Sequence, residues 1–279
     1  MLRVAIQGIA GCYHETAAVD YFDGRQVEPV CCRSFEALFG ALAEDMSLLG
    51  IVAIENTIAG SLLQNYELLR RSDLSIIGEY KLRISHTLAA LPGESLETLT
   101  EVNSHPIALM QCENFLKSHQ HLKVVETFDT AESARDIAEK RLAGHAAICS
   151  ERAAQIYGLD ILARGIETNK HNFTRFLIVA DRSNPLAEVR DRKIDKASMV
   201  FTLPHTQGSL SKVLTILSFY DVNLTKIQSM PIIGREWEYR FYVDVAFDNP
   251  LRYRQSIEAV RPLLSDFRSL GEYAAFDGE

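Results

Sequence analysis

The stretch 123-KVVETFDTAESARDIAEKRLAGHAAI-148 decides the class of fold. Lys123–Thr127 and His145–Ile148 are short segments typical of strands, and Ala131–Leu142 between them has the apolar spacing of a helix. Alternating strands and helices predict a parallel sheet covered by helices. Ligands of such sheets bind at the carboxyl ends of the strands. The polar residues that follow each strand are therefore the first candidates for a functional site.

The same alternation extends over residues 1–182. We predict further strands at Arg3–Gln7, Val27–Arg33, Leu49–Ile54, Leu74–Ile84 and Val102–Ser104. We predict helices at Tyr13–Tyr21, after a capping Ser34, and at Leu62–Arg71, Pro106–Lys117 and Glu151–Tyr157, the last of them capped by Ser150 and stopped by Gly158. The fold class of this part is α/β.

The pattern changes after residue 182. Residues 183–196 are charged, contain Asn184-Pro185 and lack a sustained apolar pattern, so they are predicted to form a linker. Beyond them we predict strands at Ser198–Leu203, Val222–Met230, Glu238–Phe247 and Phe267–Tyr273, and helices at Ser209–Tyr220 and Leu251–Leu264. This β-α-β-β-α-β order predicts a small ferredoxin-like domain over residues 197–279.

Composition narrows the class of protein. The chain has 279 residues, is 47% hydrophobic and carries a net charge of −8, which suits a soluble globular protein of about two domains. No apolar run approaches the roughly 20 residues that span a bilayer, and the N-terminus leads into a strand without the pattern of a signal peptide. We expect a cytoplasmic protein that binds neither membrane nor, given its acidic balance, nucleic acid.

Cysteine and histidine usage gives no sign of a metal. The five cysteines include no Cys-x-x-Cys pair, and Cys31 and Cys32 are adjacent, which is poor geometry for a disulfide or a zinc site. The eight histidines include no His-Glu-x-x-His pair. We expect reduced thiols and neither a metal nor an organic cofactor.

Two early turns carry polar groups. Gly8–His14 is a glycine turn before a helix, which either offers N–H groups to an anion or is simply a tight turn. Glu55–Ser61 places a carboxylate, an amide and hydroxyls after a buried strand. Ser61 as a plain helix cap is the alternative there, but so dense a polar set needs partners if it is buried.

Later turns repeat this arrangement. Ser104 or His105 either caps the next helix or binds a ligand, and Gln111 lies further along that helix. Asp129 or Thr130 is an N-cap, and Thr130 is also a candidate to face a cleft. No Ser-His-Asp grouping or phosphate-binding Gly-Lys-Ser/Thr loop accompanies these groups. The set suits a small, polyanionic, hydroxylated ligand.

The stretch Asn172-Phe173-Thr174-Arg175-Phe176 places a hydroxyl and a guanidinium at the start of an apolar strand. Arg175 can bind a carboxylate through two parallel hydrogen bonds. Thr174 can donate a hydrogen bond or a proton to a neighbouring oxygen. We expect Phe173 and Phe176 to point away from these polar groups and to anchor the strand in a core.

Taken in order, these motifs resemble those of prephenate dehydratase over nearly the whole chain. The resemblance rests on the glycine turn with Tyr13, Glu55-Asn56-Thr57 with Gly60-Ser61, Ser104-His105-Pro106 with Gln111-Cys112, Asp129-Thr130-Ala131, Tyr157-Gly158-Leu159 and Asn172–Phe176. Residues 198–275 resemble an ACT regulatory domain through Gly208-Ser209-Leu210 and Asn223-Leu224-Thr225-Lys226-Ile227.

The resemblance implies a catalytic part over residues 1–182, similar to periplasmic binding proteins, with one lobe of roughly 1–80 and 165–182, a second lobe of 81–164, and the active site between them. It implies conversion of prephenate to phenylpyruvate, carbon dioxide and water for phenylalanine synthesis, without a cofactor. It also implies control by phenylalanine at the ACT domains of an oligomer. A ferredoxin-like sheet leaves an edge strand, so we expect a homodimer or homotetramer.

The resemblance also assigns site residues. Thr174 is the candidate donor to the leaving hydroxyl, and Arg175 either binds a carboxylate or orders the cleft. The substrate-binding candidates are Asn56, Thr57, Gly60, Ser61, Ser104, His105, Gln111, Thr130, Asn172 and Phe173. Candidates for binding an amino-acid effector are Gly208, Ser209, Leu210, Asn223 and Leu224.

Some positions depart from the family pattern. Cys12 stands where serine is usual, and Thr57 replaces a commoner serine but keeps the hydroxyl. In the ACT-like region, Gln228-Ser229-Met230-Pro231 replaces a commoner Glu-Ser-Arg-Pro, so one charge of each sign is missing. Two alternatives to prephenate dehydratase stay open. One is an arogenate dehydratase, and the other is a non-catalytic amino-acid sensor on the same scaffold.

Overall fold

The computed structural model describes residues 1–23, 25–184, 193–276 and 278. Residues 185–192 of the predicted linker therefore lie outside the described residues. The described chain folds into three β-sheets with helices between the strands, which confirms the mixed α/β class. Within the described ranges, no helix is both long and apolar enough to cross a membrane.

The first sheet has the strand order β2-β1-β3-β11-β5, and a short strand β4 pairs with β3. Its strands are β1 (Leu2–Gln7), β2 (Val27–Cys32), β3 (Leu49–Asn56), β4 (Gly60–Ser61), β5 (Leu74–Arg83) and β11 (Phe173–Asp181). Its helices are α1 (Tyr13–Tyr21), α2 (Phe35–Glu44) and α3 (Leu63–Arg71). β1 is parallel to both β2 and β3, as the strand–helix alternation predicts.

The second sheet contains the predicted strand–helix–strand stretch of residues 123–148. Its order is β10-β6-β9-β7-β8, with β6 (Thr87–Ala90), β7 (Glu101–Ser104), β8 (Lys123–Glu126), β9 (His145–Cys149) and β10 (Asp160–Arg164). The helices are α4 (Pro106–Gln111), α5 (Glu113–Ser118), α6 (Thr130–Lys140) and α7 (Glu151–Ile156). β7 is parallel to β8 and β9, but β6 runs antiparallel to β9 and β10, so the sheet is mixed.

The predicted helix Pro106–Lys117 is wrong as one element, because it breaks at Cys112. Thr168 supplies the physical reason. Its N–H donates to the carbonyl of Gln111 at 2.7 Å, and its hydroxyl accepts from the N–H of Asn114 at 3.1 Å. Both main-chain groups would otherwise bond within a continuous helix. The break brings residue 168 against the C-terminal end of α4.

The third sheet confirms the predicted β-α-β-β-α-β order. It contains β12 (Lys196–Thr202), β13 (Asn223–Pro231), β14 (Tyr239–Ala246) and β15 (Asp266–Tyr273), with α8 (Ser209–Phe219) and α9 (Pro250–Val260) between strands. The order β13-β14-β12-β15 is antiparallel throughout and is that of a ferredoxin-like fold. Met199, Phe201, Val213, Val243 and Tyr253 form part of its core.

Contacts divide the chain into two compact units. One comprises Met1–Ala41, Leu48–Leu62 and Lys81–Phe176, and the other Leu42–Ser47, Leu63–Tyr80 and Leu177–Glu279. Within the second unit, Glu67 accepts a hydrogen bond from the Tyr242 hydroxyl at 2.7 Å. Lys196, predicted as the last linker residue, instead begins β12 and forms a buried ion pair with Glu79 at 2.7 Å.

Candidate active site

Thr174 lies in β11 beside the end of β3, and a buried amide fixes its hydroxyl. The amide Nδ2 of Asn56 donates to Thr174 Oγ1 at 3.0 Å, to Asn172 Oδ1 at 2.8 Å and to the Phe173 carbonyl at 3.2 Å. Thr174 is only 9% exposed and Asn172 is fully buried. The sequence candidates Asn56, Asn172 and Thr174 thus meet, although 116 residues separate the first two.

The orientation of the Asn56 amide follows from its oxygen. Oδ1 accepts from the main-chain N–H groups of Ile58 at 3.0 Å and Ala59 at 2.9 Å, so this end of the amide must be the acceptor. Nδ2 is then the donor, and Thr174 Oγ1 accepts. A hydroxyl that accepts still has its own proton to donate. The Thr174 proton is therefore available to a ligand.

The hydrogen-bond chain continues to Tyr13. Asn172 Nδ2 donates to Gln111 Oε1 at 2.9 Å, and the same oxygen lies 2.8 Å from Nε2 of His86. Nδ1 of His86 lies 2.8 Å from the Tyr13 hydroxyl. Buried polar groups are tolerated when they satisfy each other in this way. Gln111 was predicted from its motif, His86 was not predicted, and Tyr13 was considered only as part of the glycine turn.

Burial keeps the titratable groups at this end of the hydrogen-bond series, His86 and Tyr13, in their uncharged forms. Desolvation lowers the pKa of His86 despite its bond to Gln111 and the nearby Glu167 carboxylate, so the imidazole is neutral near pH 7. Desolvation also raises the pKa of the Tyr13 phenol well above its ordinary value. His14, next to Tyr13, packs its ring edge-on against Phe176 at 5.0 Å, and burial lowers its pKa to about 3. All three groups are uncharged.

The β3–α3 turn supports the start of β11, next to Thr174. The Thr57 hydroxyl donates to the His171 carbonyl at 3.0 Å and accepts from the Phe173 N–H at 2.9 Å. Gly60 adopts a φ of +85°, and Ser61 lies beside it in β4, paired with Glu55. The alternative reading, in which Ser61 is a plain cap of α3, does not hold, because Leu62 stands between Ser61 and the first helical residue.

The polar candidates after β7 and β8 mostly bond to the protein itself. The Ser104 hydroxyl is fully buried and donates to the Ile148 carbonyl at 2.6 Å, which ties β7 to the neighbouring strand instead of facing a ligand. His105, not Ser104, is the N-cap of α4, through Nδ1 and the Ile107 N–H at 3.2 Å. Asp129 caps α6 at 2.8 Å from the Ala131 N–H.

Thr130 is the first residue of α6 and is half-buried. The carboxyl of Asp129, just before it, has a pKa that burial raises above its ordinary value. Its second oxygen points towards the glycine turn, where a Cβ on Gly8 would lie 3.7 Å away. Asp129 is thus close to the turn after β1, although β1 and the strand before Asp129, β8, belong to different sheets.

The glycine turn itself is closely packed. Gly11 has a φ of +89°, and a Cβ there would lie 2.7 Å from Cα of Ala153. Its N–H donates to the buried Glu15 carboxylate at 2.6 Å, and Arg152 binds the other oxygen of Glu15 at 2.6 Å. The N–H of Gly11 is therefore occupied by protein. The Cys12 thiol donates to the Gln7 carbonyl at 3.5 Å, and burial raises its pKa to about 12.

Of the two phenylalanines around Thr174, Phe176 lies on a different side of β11 from the one predicted. Phe176 is 1% exposed and anchors the strand as expected. It lies two residues from Thr174, so it shares the side of β11 that carries the hydroxyl, and the prediction that it points away is wrong. Phe173 is half-buried, and Arg175, which is buried, lies on the opposite side of the strand from Thr174.

The candidate effector residues lie at the two ends of the third sheet's first crossover. Gly208 has a φ of +77° and precedes α8, and Ser209 donates to the Pro204 carbonyl at 2.9 Å. Leu210 lines a shallow surface depression along α8. Asn223 and Leu224 begin β13, an edge strand.

Within the described ranges, no group of three or more His, Cys, Asp or Glu residues is placed to hold a metal ion. The polar centre of the site is instead built from amides, hydroxyls and a neutral imidazole, and the Thr174 hydroxyl accepts from Asn56 and keeps its own proton to donate. Such a centre can bind a hydroxylated anion and donate a hydrogen bond to an oxygen that gains negative charge.

Comparison with other proteins gives a consistent family. Arogenate dehydratase 5 of Arabidopsis thaliana is 38% identical over 290 residues, which cover 98% of this chain and 67% of that protein. Arogenate dehydratase/prephenate dehydratase 6 of the same plant is 39% identical, over 98% of this chain and 68% of that protein. Both names describe those proteins as chloroplastic.

Two solved structures share the fold over nearly the whole chain. The prephenate dehydratase of Arthrobacter aurescens in complex with L-Phe has a TM-score of 0.86 and 25% identity, covering 98% of this chain and 90% of that one. GqqA, described as a quorum-quenching acylase, has a TM-score of 0.86 and 28% identity, covering 99% and 98%. The sequence model of the prephenate dehydratase family matches residues 4–184. The chain belongs to the prephenate dehydratase family.

Proposed function

We propose that the chain converts prephenate to phenylpyruvate, carbon dioxide and water. The carboxylate on the ring leaves as carbon dioxide, and the electron pair of the broken bond enters the ring and expels the ring hydroxyl. That hydroxyl takes up a proton and leaves as water. The ring becomes aromatic, which supplies the driving force, so the protein has to hold the substrate and assist the departing oxygen.

The polarity of the hydrogen bond between Asn56 and Thr174 carries this proposal. Because Thr174 Oγ1 accepts from Asn56 Nδ2 at 3.0 Å, its proton is free to point at the leaving hydroxyl. Asn56 also increases the acidity of the hydroxyl, since a donor to its oxygen stabilises negative charge there. If Thr174 transfers its proton, water restores it after product release.

The remaining candidates are assigned by what their polar groups still offer. Among the described residues Gln111 Oε1 accepts two hydrogen bonds while its Nε2 has no partner, so Nε2 is our candidate donor to a substrate carboxylate. Asn56 and Asn172 are engaged with protein and position the site. Thr57 holds the start of β11 at Phe173.

Four candidates remain at the edge of this centre. Gly60, Ser61, His105 and Thr130 are at least partly exposed, and we propose that they contact the substrate from the surrounding turns. Arg175 lies across β11 from Thr174, which favours the second of its two roles, the ordering of the strand, over contact with the leaving group.

The choice between prephenate and arogenate has a direct test. The purified chain is incubated with each substrate separately, and phenylpyruvate or phenylalanine is measured. We expect faster turnover of prephenate. Faster turnover of arogenate would assign the chain to that substrate, whose dehydratases are among its relatives. Product from neither would overturn the enzymatic proposal and favour a ligand sensor.

We further propose that residues 1–182 are catalytic and that residues 197–279, joined to them by a linker at 183–196, form an ACT regulatory domain that binds phenylalanine. The ferredoxin-like topology and the L-Phe complex of a related structure support this. Gln228 and Met230 lack the charges usual at these positions, but Gly208 and its neighbours keep the main-chain groups. Calorimetry with phenylalanine should show binding, and no heat at millimolar ligand would contradict it.

The edge strand β13 supports assembly into a homodimer or homotetramer. Its outer side has no neighbouring strand among the described residues, and strands of this kind readily pair with a second copy. Light scattering of the purified chain should give the mass of a dimer or tetramer. The mass of a monomer would contradict the proposal.

A further inference from the structure

His86 is a buried imidazole that lies between Gln111 and Tyr13 in the series of hydrogen bonds that leads away from Thr174. It is 2% exposed and lies between β5 and β6. Its ring joins the Tyr13 hydroxyl to Gln111 Oε1, each at 2.8 Å. Its main-chain N–H donates to the buried Glu167 carboxylate at 3.0 Å, which fixes the residue from behind.

The positions of the hydrogens follow from Asn56 step by step. The Asn56 nitrogen donates to Asn172 Oδ1, so the amide of Asn172 is oriented with its nitrogen towards Gln111. Gln111 must then present its oxygen, which accepts from Asn172. Since that oxygen has no proton, the hydrogen bond to His86 requires a hydrogen on Nε2 of the imidazole.

The neutral imidazole leaves Nδ1 as an acceptor, which the Tyr13 hydroxyl satisfies. The Tyr13 hydroxyl also lies 3.0 Å from the Ser85 carbonyl, a second acceptor. The single Tyr13 proton is donated to Nδ1, the nearer acceptor, and the Ser85 carbonyl can only share it. From Asn56 to His86, one arrangement of hydrogens then matches every donor with an acceptor. Among the described residues, the Gln111 NH₂ group has no hydrogen-bond partner in this arrangement.

We propose that His86, oriented by Tyr13, is a positioning residue that holds the Gln111 amide with its NH₂ group towards a carboxylate of the substrate. This rests on the proposed function for the identity of the substrate. Gln111 in the reverse orientation would present hydrogens to both Asn172 and His86. Each hydrogen bond that favours the correct orientation of the Gln111 amide raises the population ratio of the correct to the reverse orientation by about fivefold.

The test compares His86→Leu, which removes the donor, with His86→Gln, whose amide nitrogen can replace Nε2. His86→Leu should raise KM for prephenate about tenfold, with kcat changed less than threefold, because ground-state and transition-state binding are lost together. His86→Gln should return KM to within about threefold of the wild type. A merely structural role would impair both variants alike, and that outcome, or an unchanged KM in His86→Leu, would overturn the proposal.

A second measurement does not depend on activity. Nitrogen NMR of the wild-type chain, labelled at histidine, should show the His86 ring with hydrogen on Nε2 and none on Nδ1. Hydrogen on Nδ1 alone would overturn the proposal even if the enzyme is active. Inactivity of the wild-type chain on both prephenate and arogenate would instead count against the proposed function and leave this readout to decide the His86 arrangement.

Discussion

Asn56→Asp should switch off the Thr174 donor with almost no change in side-chain shape. The substitution replaces Nδ2 by a carboxylate oxygen that now faces Asn172 Oδ1, the Phe173 carbonyl and Thr174 Oγ1. Both Asn172 Oδ1 and the carbonyl lose a donor. The Thr174 hydroxyl is the only one of the three that can turn and donate to the new carboxylate, which removes its proton from the leaving hydroxyl.

The magnitude follows from the bonds that are lost. Asn172 Oδ1 loses its donor in a buried site, whereas the Phe173 carbonyl keeps a hydrogen bond from the Thr57 N–H at 2.9 Å. The free energy of unfolding should therefore fall by about 1–3 kcal/mol. For a chain of this size that corresponds to a decrease in Tm of about 2–5 °C. Loss of a positioned proton donor typically costs about 10²–10⁴-fold in rate. The effect on kcat should therefore far exceed the effect of partial unfolding at 25 °C.

The assay is kcat for prephenate at 25 °C together with thermal denaturation. Asn103→Asp is the matched control, because Asn103 is buried to a similar degree but bonds to His145 in another strand. That variant should lose stability and keep kcat within about threefold. If Asn56→Asp also keeps kcat within threefold while remaining folded, Asn56 does not set the orientation of the Thr174 hydroxyl.

Three other substitutions test neighbouring parts of the account. Arg175→Lys should lower Tm and kcat/KM together, because a point charge cannot replace a buried planar fork, and an unchanged value of both would remove Arg175 from any role in the site. Gly11→Ala should reduce the free energy of unfolding by about 2–4 kcal/mol, because the φ of Gly11 is +89° and the new Cβ would lie 2.7 Å from Cα of Ala153. Urea denaturation measures this loss. A loss below about 0.5 kcal/mol would show that the turn can move. Bonds from Arg70, Tyr242 and Arg71 lower the pKa of Glu67 to about 2 from a usual value near 4.5. The resulting stability is full above about pH 4.5 and is lost as the pH falls towards 2. The wild type should exceed Glu67→Gln in free energy of unfolding by about 1–2 kcal/mol after allowance for solvent screening, and urea titrations should show this excess shrink between pH 6 and pH 3. A difference that does not depend on pH would contradict the assignment.

Sequence patterns predicted those parts of the fold that local periodicity determines. Tyr13–Tyr21 has the bounds expected, and Ser150 caps α7 through the Ala153 N–H at 2.9 Å. The ferredoxin-like order was predicted because its six elements are long enough to show their periods. β6 was missed because its four residues are all buried, so they show no alternation that would mark a strand.

The site residues likewise fall into those that local motifs predict and those that only the folded structure brings together. Asn56, Gln111 and Thr174 were found because they stand in recognisable motifs, but their connection needs residues 56, 111 and 172 to meet in space. His86 belongs to no motif that the sequence analysis weighed, and its partners lie 25 and 73 residues away. Ser104 shows the reverse case, since a motif residue turned out to have its hydroxyl occupied by a neighbouring strand.

The most direct test of the central claim compares Thr174→Val with Thr174→Ser in turnover of prephenate. Valine keeps the shape of threonine and removes only the hydroxyl, whereas serine keeps the hydroxyl that Asn56 orients at 3.0 Å. We predict that kcat falls by about 10²–10⁴-fold in Thr174→Val and by less than about tenfold in Thr174→Ser, with both variants folded. A Thr174→Val variant with nearly normal kcat would show that the hydroxyl does not assist the leaving group.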